Sequence, residues 1–173
     1  FVTKKTKILD IGCGNGVITD EMMKYFGIKI VGTDIISYLK KGINIKFKIM
    51  ESKTKLNFND NEFDIGTLND VLHHLPFDIQ KDLIEESIRT CKKLLIFESD
   101  NSFASKIIDI IMNKLDDWRI PVPLALRNEK EWLTFFKENG FSCIYHLVPK
   151  PIWIYPVNKY LFEVWKKEKN SPN

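Results

Sequence analysis

The feature that most constrains this chain is a short apolar run that breaks straight into a glycine-rich turn. Lys7-Ile8-Leu9-Asp10-Ile11 reads as a buried strand, and Gly12-Cys13-Gly14-Asn15-Gly16 succeeds it without a linker. Val17, Ile18, Met22, Tyr25 and Phe26 then recur at helical spacing until Gly27 stops the helix. In open α/β sheets, ligands bind just beyond the carboxyl ends of the strands, and glycines there let the backbone come close to them. A glycine turn by itself is also found as a plain tight turn, so its meaning depends on the rest of the chain.

Downstream of Gly27 the pattern is a regular alternation. A second strand is expected over Lys29 to Gly32, a short helical stretch around Ser37 to Lys41, and a third strand over Ile43 to Met50. Phe63 to Asn69 reads as a fourth strand. Ile79, Leu83, Ile84, Ile88 and Cys91 mark an amphipathic helix, and Leu94 to Glu98 reads as a fifth strand. Helices that regularly separate short apolar strands imply an α/β fold whose parallel sheet is covered on both faces.

The second half is less regular. An insert from Asn101 to Arg127 carries Ile107, Ile108, Ile111, Met112 and Leu115 on one helical stripe, expected to pack over something apolar. Trp118, Arg119, Ile120, Pro121, Val122 and Pro123 come next as a bulky, semi-rigid stretch with one cation. Lying just past the fifth strand, this insert is expected to wall or cover an acceptor pocket, the alternative being a helix that merely covers the sheet. Asn128 with Glu131 predicts a capping box opening a helix through Trp132, Leu133 and Phe136 that Gly140 ends. Phe141 to Leu147 reads as a sixth strand. A loop bearing Pro149, Pro151 and Pro156 then leads to a last strand over Tyr160 to Lys166.

Composition excludes several classes. At 173 residues and 44% hydrophobic content the expectation is one domain over residues 1–173. The 26 basic and 23 acidic residues are spread along the chain, too weak a field to signal nucleic acid. Cys13, Cys91 and Cys143 are far apart and form no Cys-x-x-Cys pair, which predicts a reducing, cytoplasmic setting and no metal site. No apolar run approaches the roughly 18 residues that a membrane span needs. Phe1 is not an initiator methionine, so upstream sequence is expected. Nothing in the sequence fixes an oligomeric state.

Asp34 gives the glycine turn its meaning. It ends Val31-Gly32-Thr33-Asp34, 18 residues after Gly16, where a carboxylate at the tip of the second strand can accept both hydroxyls of an adenosine ribose. A nicotinamide dinucleotide, the competing ligand, calls for a third glycine where this chain has Val17. Together with Phe63-Asp64-Ile65-Gly66-Thr67-Leu68-Asn69-Asp70-Val71-Leu72-His73-His74-Leu75-Pro76, these residues resemble the class I S-adenosylmethionine-dependent methyltransferases. The likeness is to the branch with a Leu-His-His-Leu-like segment after the fourth strand. It covers roughly residues 6 to 98, with a vaguer likeness over Trp132 to Gly140.

The resemblance implies a Rossmann-like, doubly wound, mostly parallel seven-stranded sheet whose last strand is antiparallel. It implies S-adenosyl-L-methionine as cofactor. Asp10 and the Gly12-Cys13-Gly14 backbone would cradle the methionine part, Asp34 the ribose, and Ile35 the adenine ring. Glu51 and Ser52 would meet the adenine amino edge, and Asn69 would border the methionine portion. The turn carrying His73 and His74 would lie beside the transferable methyl. His73 reads as packing beneath a helix, whereas His74 is the candidate general base, with capping as its structural alternative. The expected partner is a small-molecule or lipid-like methyl acceptor. A non-catalytic or partner-dependent cofactor-binding subunit, an RNA-modifying enzyme and a dinucleotide oxidoreductase are the competing readings. Asn69-Asp70-Val71-Leu72 replaces the Asn/Asp-Pro-Pro-Tyr segment of base-amino methyltransferases, which weighs against nucleic acid.

Overall fold

The computed structural model describes residues 2–116, 124–146 and 157–166. Its elements, in chain order, are β1 (Ile8–Ile11), α1 (Val17–Phe26), β2 (Ile30–Asp34), β3 (Lys46–Ile49), β4 (Phe63–Asn69), a 3-10 turn (Leu72–His74), α2 (Phe77–Thr90), β5 (Cys91–Ser99), α3 (Phe103–Asp116), α4 (Glu129–Glu138), β6 (Phe141–His146) and β7 (Lys159–Lys166). They build a seven-stranded sheet in the order β3-β2-β1-β4-β5-β7-β6. The first five strands run parallel, and β7 is antiparallel to both β5 and β6.

Every residue of β1 is buried, which is why its sequence lacks a polar alternation. Around it, Leu9, Ile11, Leu68, Leu83, Ile84, Leu94 and Ile96 form the main core, extended by Trp132, Phe136 and Phe162. Trp132 stacks on Phe136 at 5.5 Å, and Phe136 meets Phe162 edge-on at 5.2 Å, so α4 is fastened to the sheet by aromatic contacts. The capping box is present: the Asn128 side chain accepts from Glu131 N–H, and Glu131 accepts from Asn128 N–H.

Two expectations are corrected. Ser37 to Lys41 is not helical: residues 35–36 bend, 37–40 have no regular secondary structure and 41–42 form a turn. Leu39 and Ile43 instead fold back over Gly16, and Lys40 N–H donates to Asn15 C=O at 2.9 Å. The stripe of α3 does not all face inward either, because Ile107, Ile111 and Leu115 are 39%, 50% and 77% exposed. Residues inward of it, Ser105 and Asp109, are polar and engaged in hydrogen bonds. Trp118 to Pro123, Leu147, Pro149, Pro151 and Pro156 lie outside the described residues. Among the described residues, no helix is long and apolar enough to cross a membrane.

Candidate cofactor and acceptor site

Strand order reverses between β1 and β4, so their carboxyl ends splay apart and open the crevice where doubly wound sheets hold ligands. Four sequence-selected features meet there: the glycine turn after β1, Asp10 in β1, Asp34 ending β2 and Asn69 ending β4. Gly14 N–H donates to Asp34 Oδ2 at 2.9 Å and Ile35 N–H to Oδ1 at 2.7 Å. Burial raises the Asp34 carboxyl above its ordinary range, against the backbone donors that stabilise its charge. A carboxylate has about four acceptor sites, so beyond the backbone donors of Gly14, Ile35 and Ile36 it keeps capacity for a ligand hydroxyl.

The three turn glycines are not equivalent, although each has positive φ. A Cβ on Gly12 would stand 2.7 Å from Val71, and one on Gly16 would stand 2.8 Å from Leu39 and 3.0 Å from Ile43. Over Gly14 the nearest atom is the Tyr38 hydroxyl at 3.6 Å. Gly12 and Gly16 are thus required by the protein's own packing, and Gly14 is the one with space above it. Open backbone at Gly14 beside a buried acceptor at Asp34 fits a nucleoside-bearing ligand.

Asp10 works inside the protein. Its carboxylate accepts from Thr19 Oγ1 at 2.5 Å, Thr67 Oγ1 at 2.9 Å and Asn69 Nδ2 at 3.1 Å, tying α1 and β4 to β1. Burial raises its carboxyl, opposed by these three bonds. Cys13 is a filler: its Sγ would lie 2.8 Å from a Cβ on Gly32, and burial first, then Asp10 and Asp34, push its thiol up to about 12. Ile35 is 43% exposed at the rim. Met50 N–H donates to Asp34 C=O at 2.8 Å, which brings the end of β3 to the end of β2. Glu51 and Ser52 come next, exposed, in a turn closed by Glu51 N–H to Lys55 C=O at 3.0 Å.

On the other side of β4, Asp70 adopts a left-handed conformation at φ 53° and turns the chain toward the histidines. It accepts from Ser99 Oγ at 2.8 Å and pairs with Lys159. Glu98 of β5 then grips the next residues: Oε1 accepts from Val71 N–H at 3.0 Å and Leu72 N–H at 2.7 Å, and Oε2 meets His73 Nδ1 at 2.6 Å. His73 Nε2 faces Asp109 Oδ1 of α3 at 3.2 Å. Burial lowers the His73 imidazole, but the charges of Glu98 and Asp109 outweigh it and push it up to about 10. His73 is therefore a buried imidazolium between two carboxylates. His73, His74 and Asp109 place candidate ligand atoms within 4.8 Å of one another, but both nitrogens of His73 are already committed to those carboxylates.

His74 differs from its neighbour. Its side chain is 26% exposed, its ring centroid lies 4.2 Å from that of His73, and its Nε2 is 3.8 Å from Asp109 Oδ1. Burial and then the His73 charge hold it below its ordinary value, so it is neutral near pH 7. A neutral, partly accessible imidazole beside the ligand crevice can accept a proton.

Sequence reasoning missed Glu98, Asp109, Tyr38 and Arg127. An acid at the carboxyl end of a parallel strand was a signal for Glu98; the others are paired only by the fold. Arg127 is caged by the rings of Phe135, Phe77 and Trp132 at 4.3, 4.5 and 4.7 Å and donates to Gln80 Oε1. Gln80 Nε2 in turn donates to Leu72 C=O at 2.8 Å and Leu75 C=O at 2.9 Å, and Ala125 N–H donates to His73 C=O at 2.9 Å. The end of the insert is thereby joined to the histidine turn.

A family model described as a methyltransferase domain matches residues 9–96. The ubiquinone biosynthesis O-methyltransferase of Nitrosococcus oceani is 28% identical over 80 residues, 41% of this chain and 34% of that protein. The chain thus spans about a third of the length of the curated relatives it matches. Among solved structures, an S-adenosylmethionine-dependent methyltransferase from Methanosarcina mazei superposes with a TM-score of 0.68 at 19% identity, covering 97% of this chain and 96% of that one. The 1,6-didemethyltoxoflavin-N1-methyltransferase of Burkholderia thailandensis, with bound 1,6-didemethyltoxoflavin and S-adenosylhomocysteine, gives 0.66 at 15% identity, covering 94% and 72%. At these identities the solved structures establish the shared fold.

Proposed function

The chain belongs to the methyltransferase-domain family, the class I S-adenosylmethionine-dependent methyltransferases, and on that premise we propose that it methylates a hydroxyl of a small-molecule or lipid-like acceptor. The observation that carries this reading is the pairing of Asp34 with Gly14, which sets a ribose acceptor against the one open glycine of the turn. The name of the curated relatives, O-methyltransferases of ubiquinone biosynthesis, favours oxygen as the nucleophile.

S-adenosylmethionine supplies, when bound, a methyl group activated as a sulfonium and open to in-line displacement. Asp34 holds the ribose hydroxyls, and the Gly12-Cys13-Gly14 backbone with Asn69 borders the methionine part. Asp10 keeps Asn69 in register. Ile35 lies along the adenine, and Glu51 and Ser52 meet its amino edge. His74 takes the acceptor's proton. Alignment of two bound molecules contributes up to about 7 to 11 kcal/mol in favourable cases, and a general base about 10²- to 10⁴-fold.

Calorimetric titration with S-adenosylhomocysteine tests the cofactor assignment. Asp34→Ala weakens binding by about 1.5 to 3 kcal/mol, the scale of hydrogen bonds to a charged group, while NAD does not bind either protein. Unchanged affinity in Asp34→Ala means that the ribose lies elsewhere.

A further inference from the structure

Asp109 lies on α3, outside the sheet and outside every motif of the sequence, yet its carboxylate meets both histidines of the Leu72–His74 turn. Its Oδ1 stands 3.2 Å from His73 Nε2 and 3.8 Å from His74 Nε2. The first contact is a hydrogen bond; the second is too long for one but within ion-pair reach. His73 has no freedom to respond, because Glu98 fixes its other nitrogen at 2.6 Å and fixes the two preceding amides as well. His74 does. Its Nδ1 is buried without a hydrogen-bond partner, so its Nε2, the edge that stands beside Asp109, is the nitrogen left to take up a proton.

We propose that Asp109 is a positioning residue for methyl transfer that acts through His74: its carboxylate stabilises the imidazolium formed when His74 Nε2 takes the acceptor's proton. This rests on the methyl-transfer reading above. As the acceptor oxygen's lone pair forms the new C–O bond, the C–S electron pair stays on sulfur and the hydroxyl proton passes to Nε2, then to solvent. Since Asp109 belongs to α3, the carboxylate reaches His74 only while α3 lies against the histidine turn.

Among the described residues, the charged groups that face His74 are His73 and Asp70 from its own loop, Glu98 from β5 and Asp109 from α3. His73 opposes protonation of His74, and the three carboxylates favour it. Loss of the Asp109 charge therefore moves His74 titration to lower pH. The experiment tracks the histidine ring resonances by NMR between pH 4 and pH 9 in the full chain, as wild type, Asp109→Asn and Asp109→Glu. The His74 midpoint falls in Asp109→Asn and returns toward the wild-type value in Asp109→Glu. With catechol as the probe acceptor, kcat falls about tenfold in Asp109→Asn while the KM for S-adenosylmethionine holds, and the acid limb of the profile moves down with the NMR midpoint. A His74 midpoint that ignores the Asp109 charge overturns the proposal. So does a shifted midpoint with identical catechol turnover, since Asp109 is then merely structural. Failure of the wild type to bind S-adenosylhomocysteine counts against the methyl-transfer reading instead, and leaves the NMR result standing by itself.

Discussion

Adding one methyl group at Gly14 and one at Gly16 separates a site glycine from a packing glycine. Both residues have positive φ, 57° and 77°, so alanine at either carries a left-handed backbone penalty of about 1 to 2 kcal/mol. At Gly14 little is added to that, because the new Cβ meets only the Tyr38 hydroxyl, at ordinary contact distance. Gly14→Ala should lower the melting temperature by roughly 2 to 4 °C per kcal/mol in a chain of this size. At Gly16 the new methyl lies 2.8, 3.0 and 3.2 Å from Leu39, Ile43 and Ile45. Overpacking then adds about 1 to 3 kcal/mol, for a total loss of about 2 to 5 kcal/mol. Cofactor affinity runs the other way. The Gly14 methyl enters the space proposed for the methionine part of the cofactor, so S-adenosylhomocysteine binding falls at least tenfold, or about 1.4 kcal/mol. Thermal unfolding and calorimetric titration of the two variants read both effects. Gly14→Ala binding within twofold of wild type, or Gly16→Ala melting no lower than Gly14→Ala, would refute the division.

His74→Ala should lower turnover about 10²-fold and leave cofactor affinity nearly intact; a collapse of both binding and melting temperature would make the residue structural. Glu98→Gln should cost about 3 to 5 kcal/mol in denaturant unfolding, because it leaves a buried imidazolium with one carboxylate fewer. The His73 value in the folded chain lies above its ordinary one, so its contribution to stability is full below about pH 6.5 and is lost as pH rises through about 10. Wild-type stability should therefore decline across that window, and Glu98→Gln should flatten the decline; equal slopes in the two proteins would remove His73 as its source.

Local pattern revealed elements whose neighbours in sequence are also their reasons. Phe63 to Asn69 is the fourth strand at both ends, because an apolar run on a covered sheet stops where the turn begins. Asn128 and Glu131 cap α4 by contacts three residues apart. The fifth strand starts at Cys91 and not Leu94, since α2 passes into it without a loop and Lys92 and Lys93 are strand residues turned to solvent. Ser37 to Lys41 misled for a long-range reason: Leu39 packs over Gly16, in the turn after β1 and beside Ile43 and Ile45, and not one turn away on a helix. The same limit applies at the site. Asp34 and the glycine turn were legible because strand ends and turns have sequence signatures. Asp109 was not, since nothing local links it to histidines some 36 residues earlier.

The insert between β5 and α4 is pinned at each end by contacts that do not depend on its middle. At the start, Asp100 accepts from Ser102 Oγ at 2.7 Å and from Asn158 Nδ2 at 2.8 Å, and Ser102 Oγ accepts from Ser105 N–H at 3.2 Å to cap α3. At the finish, Arg127 sits among its three rings and Ala125 is bonded to the histidine turn. With both anchorages supplied by the sheet side, the intervening length is thermodynamically almost neutral to evolution: doubling a loop adds only about 0.6 kcal/mol of closure entropy. A change of length between residues 117 and 123 therefore leaves both anchorages, and the Asp109 carboxylate beside the histidine turn, in place.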